Sequence, residues 1–228
     1  DHHDRDDDHH HNLRLIDLVR PVEALGARVI ALQIDCFHTQ LQQFVKILSK
    51  RPLGDLQLAD RHKVCREAVI GALEIPRKLL QAWAGPPKLM PGPVRRSVAG
   101  KFLDILCRVL IRGIFQAEDI SLECARRLTN LLCDVIAVVE GTYTADVDGR
   151  QEESLQGYVQ NYSRVKEVVL LLDEDQTLSS VANDVNERRC YVSLRPSEIS
   201  GMVKAIWRES EKREALLKLL QMQQARPT

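Results

Sequence analysis

Residues 94–117 read VRRSVAGKFLDILCRVLIRGIFQA, and the fold class turns on that stretch. Phe102, Leu106, Leu110 and Ile114 step by fours, with Leu103, Ile105 and Val109 beside them. A strand would alternate every second residue, whereas these positions fill one wide arc at 3.6 residues per turn. Such an arc touches neighbours on more than one side, so the spacing predicts a central helix over about 94–117. Pro93 suits its opening, because the fixed φ of proline is helical and its missing N–H is not needed in a first turn. Upstream, residues 85–93 (GPPKLMPGP) hold four prolines and two glycines and read as a loop.

The same period runs outward in both directions. Ile30, Ile34, Phe37, Leu41, Phe44 and Leu48 form one helical stripe. Pro21 falls in or before its first turn, and Arg51-Pro52-Leu53-Gly54 is its expected stop. Asp60 is placed to cap a second helix carrying Val64, Ala68, Ala72, Leu79 and Trp83, bent at Pro76. Ser121 is the expected N-cap of a fourth helix through Cys124, Leu128, Leu131, Val135 and Val138, with Gly141 as its stop. A fifth helix is expected from Tyr162 to Arg188, broken at Asp173-Glu174-Asp175, then a short extended piece from Cys190 to Leu194. Ser197 opens a sixth helix with Ile199, Met202, Val203, Ile206 and Trp207, and Ser210 caps a last one with Leu216, Leu217 and Leu220. The architecture implied is all-α, an elongated bundle of about six or seven amphipathic helices. Residues 13–228 are expected to form that domain, with a subdivision near the polar stretch 142–157.

Composition narrows the function classes. The 228 residues carry 32 Lys+Arg against 32 Asp+Glu, and this zero balance argues against a dedicated binder of nucleic-acid phosphates. No apolar run approaches the roughly 20 residues of a membrane helix. Cys36, Cys65, Cys107, Cys124, Cys133 and Cys190 show no C-x-x-C spacing, and they read as reduced thiols of an intracellular protein. Residues 1–12, DHHDRDDDHHHN, could ligate a metal through imidazole and carboxylate, but nothing there can be buried to offset ordering. They read as a disordered tail or an expression remnant.

Catalytic and cofactor motifs fail on inspection. Setting Gly149 at position 6 of an EF-hand loop puts Leu155 where the bidentate Glu belongs. Gly100-Lys101 lacks the earlier glycine and the following Ser/Thr of a P-loop. His38 and His62 have no visible partner and read as surface or satisfied histidines, and Cys36 and His38 point in different directions on a helix. Trp83 and Trp207 read as core anchors. The expectation is a protein that is not an enzyme and uses no cofactor.

Several short segments, taken in order, resemble a known family. They are Glu23-Ala24-Leu25-Gly26 with Phe37 and Leu41, then Gln116-Ala117-Glu118-Asp119-Ile120-Ser121 running to Arg127-Leu128. The fullest run is Pro196-Ser197-Glu198-Ile199, Val203-Lys204-Ala205-Ile206-Trp207, Ser210-Glu211-Lys212-Arg213 and Ala215-Leu216-Leu217. Together they resemble the C-terminal region of the Zeste White Ten centromere/kinetochore family, over most of residues 22–220. Two features depart from it: the His/Asp tail has no counterpart, and Tyr158-Val159 is followed by Gln160-Asn161-Tyr162 where the family has proline and tryptophan.

The resemblance implies a non-enzymatic adaptor with two related jobs. One is in the Rod–Zwilch–Zeste White Ten assembly, which brings dynein–dynactin and checkpoint proteins to kinetochores in mitosis. The other is in an endoplasmic-reticulum complex that tethers Golgi-derived vesicles. The implied partners are a long α-solenoid subunit of Rod or vesicle-tether type, sister tethering subunits and, indirectly, dynactin. The implied location is cytoplasmic, at kinetochores in mitosis and peripheral at the endoplasmic reticulum through partners. Another multisubunit vesicle tether is the alternative, and metal handling by the tail is a third reading.

If Ile199, Met202, Val203 and Ile206 face inward, Ser200, Lys204 and Arg208 share the opposite side of the sixth helix. Lys212 continues that basic edge past Ser210. Taken alone this edge reads as a solvated face; the resemblance, fullest over this helix pair and implying solenoid docking, makes Lys204, Arg208 and Lys212 the candidate partner-binding residues.

Overall fold

A computed structural model of the chain describes residues 20–39, 62–64, 66–67, 69–71, 73–74, 77–78, 92–144, 155, 157–187 and 189–224. The chain divides into two compact units, Asp1–Thr39 and Gln40–Thr228. The His/Asp tail, the extension of the first stripe through Leu41, Phe44 and Leu48, its stop at Arg51–Gly54, and most of 142–157 lie outside the described residues.

In the first unit, residues 20–39 are helical throughout (α1), with Pro21 in the opening turn of the described span. Ile30 and Ile34 are half-buried and Phe37 is fully buried, as the stripe implies.

In the second unit, every described position between 62 and 78 is helical (α2). Among its described residues Val69 and Leu73 are buried, whereas Val64 is 56% exposed, so the inward face differs from the stripe expected through Val64. Two polar contacts lie on the same inward face. His62 Nε2 lies 3.2 Å from the Arg127 carbonyl, and Arg66 Nε donates to Asp134 at 2.5 Å, both on the fourth helix. Positions 62, 66, 69 and 73 share one helical face. Asp60, Ala68, Ala72, Pro76, Leu79 and Trp83 lie outside the described residues.

The central helix spans Gly92–Phe115 (α3), two residues earlier at each end than the spacing predicted. It buries Val98, Ala99, Phe102, Leu103, Ile105, Leu106, Cys107, Leu110, Ile111 and Ile114, an arc too wide for one neighbour. α4 spans Leu122–Thr144. Ser121 caps it, its Oγ accepting the Cys124 N–H at 3.3 Å. Gly141 does not stop it. An interior glycine costs only about 1 kcal/mol relative to alanine, and burial of Val135 and Val139 outweighs that.

The expected break at 173–175 divides the next stretch into α5, Tyr162–Leu172, and α6, Leu178–Glu187. Thr177 and Ser180 cap α6 reciprocally, each hydroxyl accepting the other's backbone N–H. α7 covers Pro196–Ile206 and α8 covers Glu211–Gln224. α7 begins one residue before Ser197, with Pro196 in its first turn. α5 packs on both α3 and α4, α7 on α3 and α8, and α8 also on α6.

The start of α5 shows how these packings are fixed. Asp104 of α3 accepts both the backbone N–H (2.8 Å) and the side-chain amide (3.0 Å) of Asn161, the residue that opens α5. A free helix N-terminus leaves such N–H groups unpaired, and here a neighbouring helix supplies the acceptor. One residue on, the Tyr162 hydroxyl donates to Glu140 of α4. Beneath these polar ties Tyr162, Val165, Val168, Leu171 and Leu172 are buried, each large aliphatic side chain contributing roughly 1.5–3 kcal/mol.

Candidate functional site

The candidate site is the corner where α7 turns into α8. Its N-terminal support begins at Arg195, whose backbone N–H donates to Glu198 Oε2 at 2.9 Å, so Glu198 satisfies one of the orphan donors of α7. The other oxygen of Glu198 accepts Arg164 Nη2 of α5 at 2.5 Å, an ion pair whose side chains are only 25% and 20% exposed. α7 thus cannot rotate on α5 without breaking a shielded pair. Ile199, Met202, Val203 and Ala205 are buried beneath it.

Two backbone links fix the far end. Ile120, ahead of α4, donates its N–H to the Ala205 carbonyl at 2.9 Å. Trp207 terminates α7 with φ −106° and ψ 137°, and its carbonyl accepts Arg213 Nη1 of α8 at 3.0 Å. Ser210 Oγ accepts the Arg213 N–H at 3.2 Å and caps α8. Arg213 therefore clamps the turn from both its backbone and its side chain. Trp207 is half-buried, not a core anchor, because the chain leaves the helix at this residue.

Lys204, Arg208 and Lys212 are all exposed. Lys204 lies in the last turn of α7 and Lys212 in the first turn of α8, but Arg208 lies in the connection, outside either helix. The expected single-helix alignment of Ser200, Lys204 and Arg208 therefore breaks after Ile206. Among the described residues the three cations make no hydrogen bond or ion pair. Glu209, Glu211 and Glu214, exposed at the same corner, intersperse the basic edge with acid. Sequence reasoning passed over these glutamates because it followed one charge sign along one face.

A cleft of about 190 Å³ opens along the first half of α7, lined by Phe115, Ala117, Ser197, Glu198, Gly201 and Met202. A Cβ at Gly201 would meet nothing within 4 Å, so the glycine leaves open space there.

A buried carboxylate stiffens the segment leading into α7, and no sequence signal pointed to it. Glu167 of α5, 7% exposed, accepts Val192 N–H at 3.1 Å and Ser193 N–H at 2.9 Å on Oε1, and Leu194 N–H at 2.8 Å on Oε2. Residues 190–194 consequently form bends around a side chain, not the extended piece expected.

Cys36, Cys107, Cys124, Cys133 and Cys190 form no disulfide, and Cys65 lies outside the described residues. Burial, with Asp104 adding, pushes the Cys107 thiol up to about 12. Burial likewise pushes Cys124 up to about 11, against the pull of Arg127. Neither is a nucleophile near neutral pH, because the thiolate is the reactive form. Among the described residues no group of His, Cys, Asp or Glu is placed to hold a metal, and no helix is long and apolar enough to cross a membrane.

Compared with known families, residues 68–220 match the model of the ZW10 C-terminal helical domain, two thirds of the chain. The match takes in α3 through α7 and most of α8, including the whole candidate corner. No curated protein matches the chain.

Proposed function

This chain belongs to the ZW10 C-terminal helical domain family, and we propose that it is a non-enzymatic scaffold segment that docks onto a long α-solenoid subunit. It does so in two settings. In mitosis it helps a Rod-type subunit bring dynein–dynactin and checkpoint proteins to kinetochores. In interphase it serves a complex that tethers Golgi-derived vesicles at the endoplasmic reticulum, reaching the membrane only through partners. The observation that carries this reading is the family match over residues 68–220.

Within the scaffold the proposed docking face is the α7–α8 corner bearing Lys204, Arg208 and Lys212. Interspersed charge at an interface rim steers approach and fixes register more than it adds raw affinity. The turn clamped by Arg213 fixes the backbone from which those charges project, which lowers the ordering cost of binding.

Purification of the tagged chain from mitotic and interphase cells, followed by mass spectrometry of what accompanies it, tests the reading. The expected result is enrichment of a Rod-type solenoid from mitotic cells and of vesicle-tether subunits from interphase cells. Recovery of neither above an untagged control overturns it.

A further inference from the structure

α1 carries two apolar faces. Ile30, Ile34 and Phe37 lie on the covered one. On another side Val22 is 69% exposed, Leu25 62%, Val29 46% and Leu32 64%, and Cys36 is exposed as well. The steps 22, 25, 29, 32, 36 alternate three and four, the a/d spacing of a coiled-coil seam, with Val at two a positions and Leu at two d positions. A helix apolar on two sides is built to be covered on both.

The flanking charges say what covers it. With Val22, Val29 and Cys36 at a, Arg28 and Asp35 fall at g, and both are exposed. In an antiparallel pair, a positions face d positions and g faces g. A second copy of α1 reversed about the midpoint between Ile30 and Ala31 sets Val29 against Leu32 and Leu25 against Cys36. The same register places Arg28 opposite Asp35 of the other copy, twice by symmetry. A parallel pair would instead set Arg28 beside Gln33, with no opposite charge. We infer that α1 is a self-association helix, pairing antiparallel and in register with α1 of a second copy of this chain. The 20 described residues span about 30 Å of seam, about three heptads. The dimer is accordingly weak, with a Kd of roughly 1–100 μM. This inference is independent of the docking role proposed for the α7–α8 corner.

Sedimentation of the full chain over about 1–300 μM tests it, with circular dichroism as the check on folding. The expected result is a reversible monomer–dimer equilibrium. Arg28→Asp or Asp35→Arg alone sets like charges opposite each other at both ends of the seam and raises Kd about tenfold. The double exchange Arg28→Asp with Asp35→Arg recreates both pairs and restores the original Kd. Orientation is read separately by mild oxidation. In a Leu25→Cys variant the introduced thiol forms an intermolecular disulfide with Cys36 of the second copy, identified by peptide mapping, faster than any Cys36–Cys36 link. A chain monomeric at 300 μM, a double exchange that fails to restore association, or dominant Cys36–Cys36 cross-linking overturns the proposal.

Discussion

The Glu167 carboxylate of α5 accepts the Leu194 N–H at 2.8 Å across 27 residues of sequence, and the preceding two N–H groups complete the same grip. One buried side chain thereby does for residues 192–194 what a helix or sheet would do for its own backbone. The connection between α6 and α7 is irregular in path yet fixed in place.

Glu167→Gln should cost about 2–4 kcal/mol. The amide keeps the volume but turns a donor toward backbone donors, leaving at least one buried N–H unsatisfied at roughly 1–3 kcal/mol each. Urea unfolding followed by circular dichroism measures it. A loss below about 1 kcal/mol would mean that water substitutes for the carboxylate.

Trp207→Ala should cost about 1–2 kcal/mol, well under the roughly 3–5 kcal/mol of a fully buried tryptophan. The indole is half-buried at the end of α7, and the Arg213 clamp holds its backbone carbonyl, which alanine keeps. Arg213→Ala removes that clamp and should leave the melting temperature less changed than affinity for a partner at the corner. Thermal unfolding of both variants separates side-chain packing from turn fixation.

Stability should fall as pH rises above about 8.5, where a thiol in the unfolded chain ionises. Folding holds Cys107 protonated up to about 12. Between these limits the native state binds a proton that the unfolded state has released, so stability drops with increasing pH, by at most about 1.4 kcal/mol per unit for this thiol. Below about pH 7.5 both states are protonated and the contribution is flat. Cys107→Ala should therefore show a shallower decline between about pH 8.5 and 10 than the parent chain. Parallel slopes in urea titrations at those pH values would exclude the thiol as the cause.

What could be read from the sequence was what depends on near neighbours. Ser121 and Ser210 were legible as caps because an N-cap oxygen reaches an N–H only two or three residues away. The arc of α3 was legible because its apolar residues repeat at the helical period. Gly141 misled, since a glycine ends a helix only where the backbone turns left-handed, which tertiary packing decides. Val64 misled because the face of α2 that turns inward carries Val69 and Leu73, together with His62 and Arg66, whose partners lie 65 and 68 positions away. Glu167 was invisible for the same reason: a glutamate within an apolar stretch carries no local mark of three distant N–H partners. At the corner, Lys204 and Lys212 lie exposed in the end turns of α7 and α8. Arg208 was displaced because α7 ends two residues before it.

The docking face yields a test in which stability and binding separate. Lys204→Glu with Arg208→Glu changes two exposed side chains that make no hydrogen bond or ion pair among the described residues, so the melting temperature should hold within about 2 °C. Lys204 lies in the last turn of α7, where a cation favours the helix dipole, and losing it costs a few tenths of a kcal/mol. Association with a Rod-type or tether-type solenoid should weaken about tenfold or more, mainly through a slower on-rate that is itself salt-dependent. Glu209→Lys with Glu211→Lys at the same corner should act in the opposite sense if the partner surface is acidic. Surface plasmon resonance at two salt concentrations reads both pairs. Unchanged binding in Lys204→Glu with Arg208→Glu, alongside an unchanged melting temperature, returns the corner to ordinary solvated surface and moves the docking face elsewhere on the domain.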